Sequence, residues 1–155
     1  MLGKAGDYLP HDVPMMLLDN LSLCQENFVE VDTRIDDKFT LFLDENGRVP
    51  AWISVELMAQ AVGVWAGYHA KLKTNSEPKI GFLLGGRQCR QAVEFYQKNE
   101  KLKIQAEIIM QDNQMANFAA RMINQEGVVV AEGKLTTYQP NESEIAALKQ
   151  AVGKK

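Results

Sequence analysis

Val49-Pro-Ala-Trp-Ile-Ser-Val-Glu-Leu-Met-Ala-Gln-Ala-Val-Gly-Val-Trp-Ala-Gly-Tyr-His-Ala70 carries one formal charge, Glu56, in 22 residues. Pro50 suits a first helical turn, where its missing N–H is no loss, and Lys71 and Lys73 suit the negative end of a helix dipole. The stretch therefore predicts a helix over about 50–72. Ile53, Val55, Leu57, Met58, Val62, Val64, Trp65 and Tyr68 run round most of its circumference, which marks a buried helix and not a surface one. Glu56 is then the residue to explain, because a carboxylate is almost never fully buried without a partner. Gln60, Gly63 and Gly67 follow it at i+4, i+7 and i+11. Together they form one polar and small stripe on an apolar cylinder, along which a second backbone or a ligand can approach the carboxylate. The same interruptions, with Ser54, argue against a membrane span, which needs about 20 predominantly apolar residues. The structural alternative is a core helix whose Glu56 snorkels or pairs with an arginine.

A chain of 155 residues is long enough for one domain with a real core and short for two, so a single domain over 1–155 is expected, its core over about 8–139. A net charge of −3 and a pI near 5.4 give no general case for nucleic acid, whose phosphates demand a basic surface. Two cysteines, Cys24 and Cys89, supply neither a disulfide framework nor a four-thiolate zinc site, and no metal is expected. The N-terminal residues lack the apolar core of a signal peptide, so the expected location is cytoplasmic.

In chain order, Pro10 and Pro14 make 7–14 an ordered loop. A short apolar segment follows at 15–18, then strand-like residues over 21–35 with a turn or bulge at Glu26-Asn27. Residues 39–43 read as a short strand or loop, and 44–48 as the turn into the helix. After the helix, 74–78 is a linker. A strand begins over 79–84, bends at Gly85-Gly86 and resumes through 87–93. Three more strands, over 101–111, 115–125 and 128–139, are separated by Asp112-Asn113 and Glu126-Gly127 as hairpin signals, giving an antiparallel meander. A last short helix is expected over 143–152, capped by Asn141 or Ser143 and apolar through Ile145, Leu148 and Val152. The order implies an α+β fold, one curved antiparallel sheet wrapped around the long helix. Its open edge predicts a dimer formed by edge pairing.

Leu9-Pro-His-Asp-Val-Pro-Met-Met-Leu-Leu-Asp19 and Glu56-Leu-Met-Ala-Gln60 resemble two signatures of the 3-hydroxyacyl-(acyl carrier protein) dehydratases, which have the hot-dog fold. Gly81-Phe-Leu-Leu-Gly-Gly86 and Lys101-Leu-Lys-Ile104 resemble that family's strands after the helix, so the likeness covers most of 8–139. With Gly47-Arg-Val-Pro-Ala-Trp52, the pattern most resembles the ApeP-like predicted dehydratases of aryl-polyene and related fatty-acid-like clusters. The resemblance implies dehydration of a carrier-bound 3-hydroxyacyl thioester to the 2-enoyl thioester, with no cofactor beyond the substrate's phosphopantetheine arm. It implies Glu56 as the helix acid, the Ala51 N–H as the group polarising the thioester carbonyl, and Trp52, Gln60, Gly81 and Phe82 as substrate contacts.

One departure stands out. The family's catalytic histidine, aligned without gaps, falls on Phe42, and no histidine occurs between Asp12 and Tyr68. Dehydration needs a base for the proton beside the carbonyl, an acid for the leaving hydroxyl and donors for the enolate oxygen. His69 lies 13 residues from Glu56 on the same helix, about 20 Å away at 1.5 Å per residue, and suits the helix C-terminus instead. His11, on the proline-fixed loop, is the remaining candidate base, against the alternative of a loop histidine bonded to backbone. Arg87, Arg90, Lys98, Lys101 and Lys103 give the later strands a basic cast, and Arg87 and Arg90 are the expected contacts for an acidic acyl carrier protein. Phe42, Trp52, Trp65, Phe82, Phe95 and Tyr96 line an acyl tunnel or fill the core. Two other functions remain open: thioester hydrolysis by a single helix carboxylate, and a non-catalytic hot-dog subunit paired with an active one. The partners expected are therefore an acyl carrier protein and a second hot-dog chain, as homodimer or heterodimer, with no membrane span.

Overall fold

The computed structural model describes residues 2–8, 16–74, 82–112 and 114–138, with 143, 146, 147, 150 and 151 beyond them. Its strands are β1 (Gly3–Lys4), β2 (Asn20–Cys24), β3 (Phe28–Arg34), β4 (Val49–Pro50), β5 (Phe82–Gln91), β6 (Phe95–Tyr96), β7 (Lys101–Gln111), β8 (Met115–Ile123) and β9 (Val129–Tyr138). One long helix, α1 (Ile53–Thr74), separates β4 from β5, and 3-10 turns cover Ala5–Tyr8 and Asp37–Phe42. Seven strands form one antiparallel sheet in the order β1-β2-β3-β7-β8-β9-β5, while β4 and β6 make a separate two-stranded ribbon.

Alternation decides which face of the sheet meets the helix. Val29, Val31 and Thr33 of β3, Leu102, Ile104 and Ala106 of β7, and Ala116, Phe118, Ala120 and Met122 of β8 are buried, and the residues between them are more exposed. They close on Ile53, Leu57, Met58, Ala61, Val62 and Val64 of α1. Each large apolar side chain removed from water there contributes about 1.5–3 kcal/mol. Among the described residues no helix is long and apolar enough to cross a membrane.

The helix begins later than its sequence predicts. Pro50 pairs with Phe95 in the β4–β6 ribbon, and the Ala51 N–H donates to the Glu94 carbonyl at 3.0 Å. A residue without an N–H loses nothing at a strand edge, so Pro50 ends β4 and the helix starts at Ile53. Residues 37–42, expected as a short strand or loop, form a 3-10 turn capped by Asp36, whose carboxylate accepts from the Lys38 N–H at 3.1 Å. The strands of the meander, β7 to β9, occur as expected, but β5 does not neighbour β7: it lies against β9 at the far edge. The helix accounts for this, since it crosses the concave face and delivers the chain to the opposite side of the sheet. Ser143, Ala146, Ala147, Gln150 and Ala151 are helical, while the expected apolar positions Ile145, Leu148 and Val152 lie outside the described residues.

The small stripe on α1 has a concrete use. A Cβ placed on Gly67 would lie 1.6 Å from the Tyr8 carbonyl oxygen and 2.6 Å from its carbon, so only glycine admits the N-terminal 3-10 turn against the helix. Tyr8 then stacks at 5.4 Å on Tyr68, and Lys71 lies 5.1 Å over its ring.

Candidate active site

Residues 44–56 build the open end of α1. The Asp44 carboxylate accepts from the backbone N–H groups of Arg48 and Asn46, both at 2.9 Å, and from the Arg48 Nε at 3.1 Å. The Arg48 backbone N–H above all holds the Asp44 carboxyl below its ordinary range. Arg48 in turn lies 4.0 Å over the Phe95 ring. The turn is thereby fixed to the ribbon that starts the helix.

Glu56 sits in the first turn of α1 and is exposed, not buried as the apolar surroundings in sequence predict. The helix shows its sides to the sheet, and Glu56 projects from the arc that the sheet leaves open. Its carboxylate is nevertheless held: Gln60 Nε2 donates to Glu56 Oε1 at 3.0 Å. Gln60 is itself buried, and its Oε1 accepts from the Leu17 N–H at 3.1 Å. The Leu17 carbonyl accepts from the buried Thr33 hydroxyl. The two signature stretches of the sequence, 9–19 and 56–60, thus meet through one glutamine side chain.

Ala51 does not offer the donor expected of it, because its N–H is spent on Glu94. The next two N–H groups, of Trp52 and Ile53, make no hydrogen bond among the described residues, as the opening turn of a helix dictates. Trp52 is 58% exposed beside them and meets Phe42 edge-on at 5.9 Å between ring centres. Phe42, where the resemblance leads one to expect the dehydratase histidine, therefore packs on Trp52 just before the helix, as a hydrocarbon.

Behind the first turn lies a group that sequence reasoning did not single out as polar machinery. Ser54 is fully buried and accepts from Gln91 Nε2 at 3.2 Å. Tyr96 packs beside it, also fully buried, and its hydroxyl has no hydrogen-bond partner among the described residues. Burial pushes the phenol up to about 12, while nearby Ser54 eases its ionisation without reaching hydrogen-bond geometry and Glu100 opposes it. Nothing in the local sequence marks this group, because its members come from α1, β5 and the two-residue β6.

His69 is far from this site in function as in sequence. Its Nε2 donates to the Gln25 carbonyl at 2.7 Å, and Trp65 Nε1 donates to the carbonyls of Gln25 and Glu26 at 3.3 and 3.2 Å. Both side chains clamp the β2–β3 turn to the helix. Cys24 Sγ lies 3.8 Å from His69 Nε2, but burial pushes the thiol up to about 12, which keeps it neutral and unreactive. His11 and Gly81 lie outside the described residues. Phe82 opens β5 opposite Tyr138, and Arg87 and Arg90 lie further along the same strand, opposite Lys134 and Glu132. Among the described residues, no three His, Cys, Asp or Glu side chains stand close enough to hold a metal ion.

The chain matches the ApeP-like family model, described as ApeP dehydratase, over residues 3–150. It belongs to the ApeP-like dehydratase family. The dehydratase heterocomplex ApeI:P from Xenorhabdus doucetiae is similar at 35% identity and a TM-score of 0.85, covering 94% of this chain and 96% of that one. A hypothetical thioesterase with coenzyme A from Streptococcus pneumoniae TIGR4 has 17% identity and a TM-score of 0.60, covering 79% of this chain and 85% of that one. The protein smu.793 from Streptococcus mutans UA159, bound to acetyl CoA, has 16% identity and a TM-score of 0.60, covering 84% and 97%. These last two share the fold alone. No curated protein matches the sequence. The family places the seven-stranded sheet and its long helix in the hot-dog fold and supports a dehydratase-type activity on that scaffold.

Proposed function

We propose that the chain removes water from a 3-hydroxyacyl thioester carried on the phosphopantetheine of an acyl carrier protein, in fatty-acid-like or aryl-polyene biosynthesis. The observation that carries the reading is the Glu56 carboxylate, oriented by Gln60 on the first turn of a helix whose opening N–H groups have no partner among the described residues. In this role the Trp52 and Ile53 N–H groups receive the charge that develops on the thioester oxygen when the proton beside the carbonyl leaves. The Glu56 carboxyl protonates the departing hydroxyl, and the exposed Trp52 ring lies against the acyl chain.

The base is the open question of the mechanism. His69 is committed to Gln25, which leaves His11 or a histidine of a second hot-dog subunit. The second source accords with an exposed carboxylate and an uncovered tryptophan, both of which a neighbouring subunit would enclose. It is also supported by the similarity to one chain of a dehydratase heterocomplex.

Incubating a 3-hydroxyacyl carrier-protein thioester with the chain alone, and with the chain co-purified from its native host, tests the reading. An enoyl product supports dehydration, and a free thiol from intact carrier replaces it with hydrolysis. No product from either preparation leaves a non-catalytic subunit. If His11 is the base, His11→Ala lowers enoyl formation about 10²- to 10⁴-fold, the usual worth of positioned acid–base catalysis. An unchanged rate and pH profile in that variant removes His11 and assigns the base to the partner.

A further inference from the structure

One buried hydroxyl lies outside the chemistry set out above. Tyr96 of β6 is 0% exposed, and its hydroxyl has no hydrogen-bond partner among the described residues. A buried hydroxyl left unpaired is destabilising, and folded proteins leave few of them. Burial above all raises the pKa of the phenol, and Ser54 acts against it, so the two hydroxyls stand close without being bonded.

The polar side chain that α1 turns inward at its opening turn is Ser54, one residue after Ile53 and two before Glu56. Gln91 Nε2 donates to its Oγ at 3.2 Å, and a hydroxyl oxygen has two lone pairs, so a second donor can join. The Ser54 backbone N–H donates to the Ala51 carbonyl at 3.0 Å, and the Val55 N–H to the Trp52 carbonyl at 3.2 Å. The Ala51 carbonyl belongs to the same peptide group as the Trp52 N–H, which has no partner among the described residues. A negative charge that accepts from that N–H polarises the peptide and strengthens the bond from Ser54 to its oxygen. Charge on the outside of the turn is thereby felt at Ser54 on the inside.

We propose that Tyr96 is a positioning residue for the thioester chemistry: its hydroxyl, unpaired in the free protein, donates to Ser54 when negative charge develops on a thioester oxygen at the Trp52 N–H. The inference rests on the proposed function only in that a thioester oxygen takes that N–H, and hydrolysis would build the same charge there. A bond made only in the charged state lowers the barrier and leaves ground-state binding alone. The penalty of the orphan hydroxyl is present in the free protein and is relieved as the charge appears. The same bond fixes the turn that carries Glu56.

Tyr96→Phe removes the hydroxyl and keeps the ring. For whichever product the chain forms, enoyl or free thiol, its kcat should fall about 3- to 10-fold, the worth of one neutral hydrogen bond. KM should be unchanged, and stability at pH 7 should not fall. Ser54→Ala should lower kcat by a similar factor, and the double variant by no more than either single change, because both remove the same bond. Additive losses, an unaltered kcat, or a raised KM with kcat intact overturn the proposal. A second measurement needs no turnover. The probe 3-oxobutyryl-pantetheine has no hydroxyl to lose, and its enolate, formed at alkaline pH, carries charge onto the thioester oxygen. In nuclear magnetic resonance of the full chain labelled at tyrosine Cζ and tryptophan, the probe should move the Tyr96 signal of the parent, and Ser54→Ala should abolish that movement. A probe that shifts Trp52 and leaves Tyr96 in place overturns this proposal alone. One that leaves Trp52 unmoved overturns the thioester reading together with it. If no preparation turns over, the probe decides by itself.

Discussion

Gln60 spends its amide in two directions, the nitrogen on Glu56 and the oxygen on Leu17. That makes the acid's orientation depend on a buried residue one helical turn away. Glu56→Gln keeps the shape and removes the ionisable group of an exposed side chain, so its unfolding free energy should stay within the range of about 0.5 kcal/mol typical of surface changes. Its enoyl formation should fall about 10²-fold or more. Retained activity in steady-state assays would remove Glu56 from the mechanism. Gln60→Leu should behave differently, because it strands the buried Leu17 N–H. Denaturant unfolding should show a loss of about 1–3 kcal/mol, together with reduced turnover as Glu56 loses its tether.

The long helix is legible from its sequence because a run with one charge has few places to go but the middle of a fold. Its neighbours are less legible. Gly67 reads only as a small residue on a stripe, whereas the structure shows the Tyr8 backbone lying where a side chain would begin. Gly67→Ala should therefore cost about 3 kcal/mol or more in chemical denaturation, since backbone and not a flexible side chain must move. Gly47 makes the contrast: it has a φ of 73° with nothing within 4 Å. Gly47→Ala should cost about 1–2 kcal/mol, the left-handed strain by itself. Equal losses at the two positions would show that the close contact with Tyr8 is not what restrains residue 67.

At the scale of the molecule, Cys24 and Tyr96 have neutral forms that folding protects. Burial pushes the Cys24 thiol from 9.0 up to about 12, and the Tyr96 phenol from 10.0 up to about 12. For both, the folded chain holds a proton that the unfolded chain releases, so their contribution is complete below about pH 9 and is lost as pH rises from there to 12. Melting temperature should fall over that window, and Tyr96→Phe should make the fall shallower. The same substitution removes a buried hydroxyl that has no hydrogen-bond partner among the described residues, so at pH 7 it should leave stability unchanged or raised. A loss at pH 7 would mean that the hydroxyl has a partner in solution.

The sequence by itself determined the helix, its single acid, the three strands of the meander and the family likeness, since helical periodicity, strand alternation and turn residues act within a few positions of one another. It also placed Gln60 four residues from Glu56, on the same stripe of the helix. Tertiary structure decided the rest. Pro50 became a strand residue because Phe95 lies beside it, and Ala51 lost its free N–H to Glu94. Glu56 became exposed because the sheet curls round other sides of the helix. β5 became an edge because α1 carries the chain past β7 and β8 to reach β9. Each of these depends on which distant segments pack together, and burial or hydrogen-bond competition between such segments leaves no periodic trace in either one.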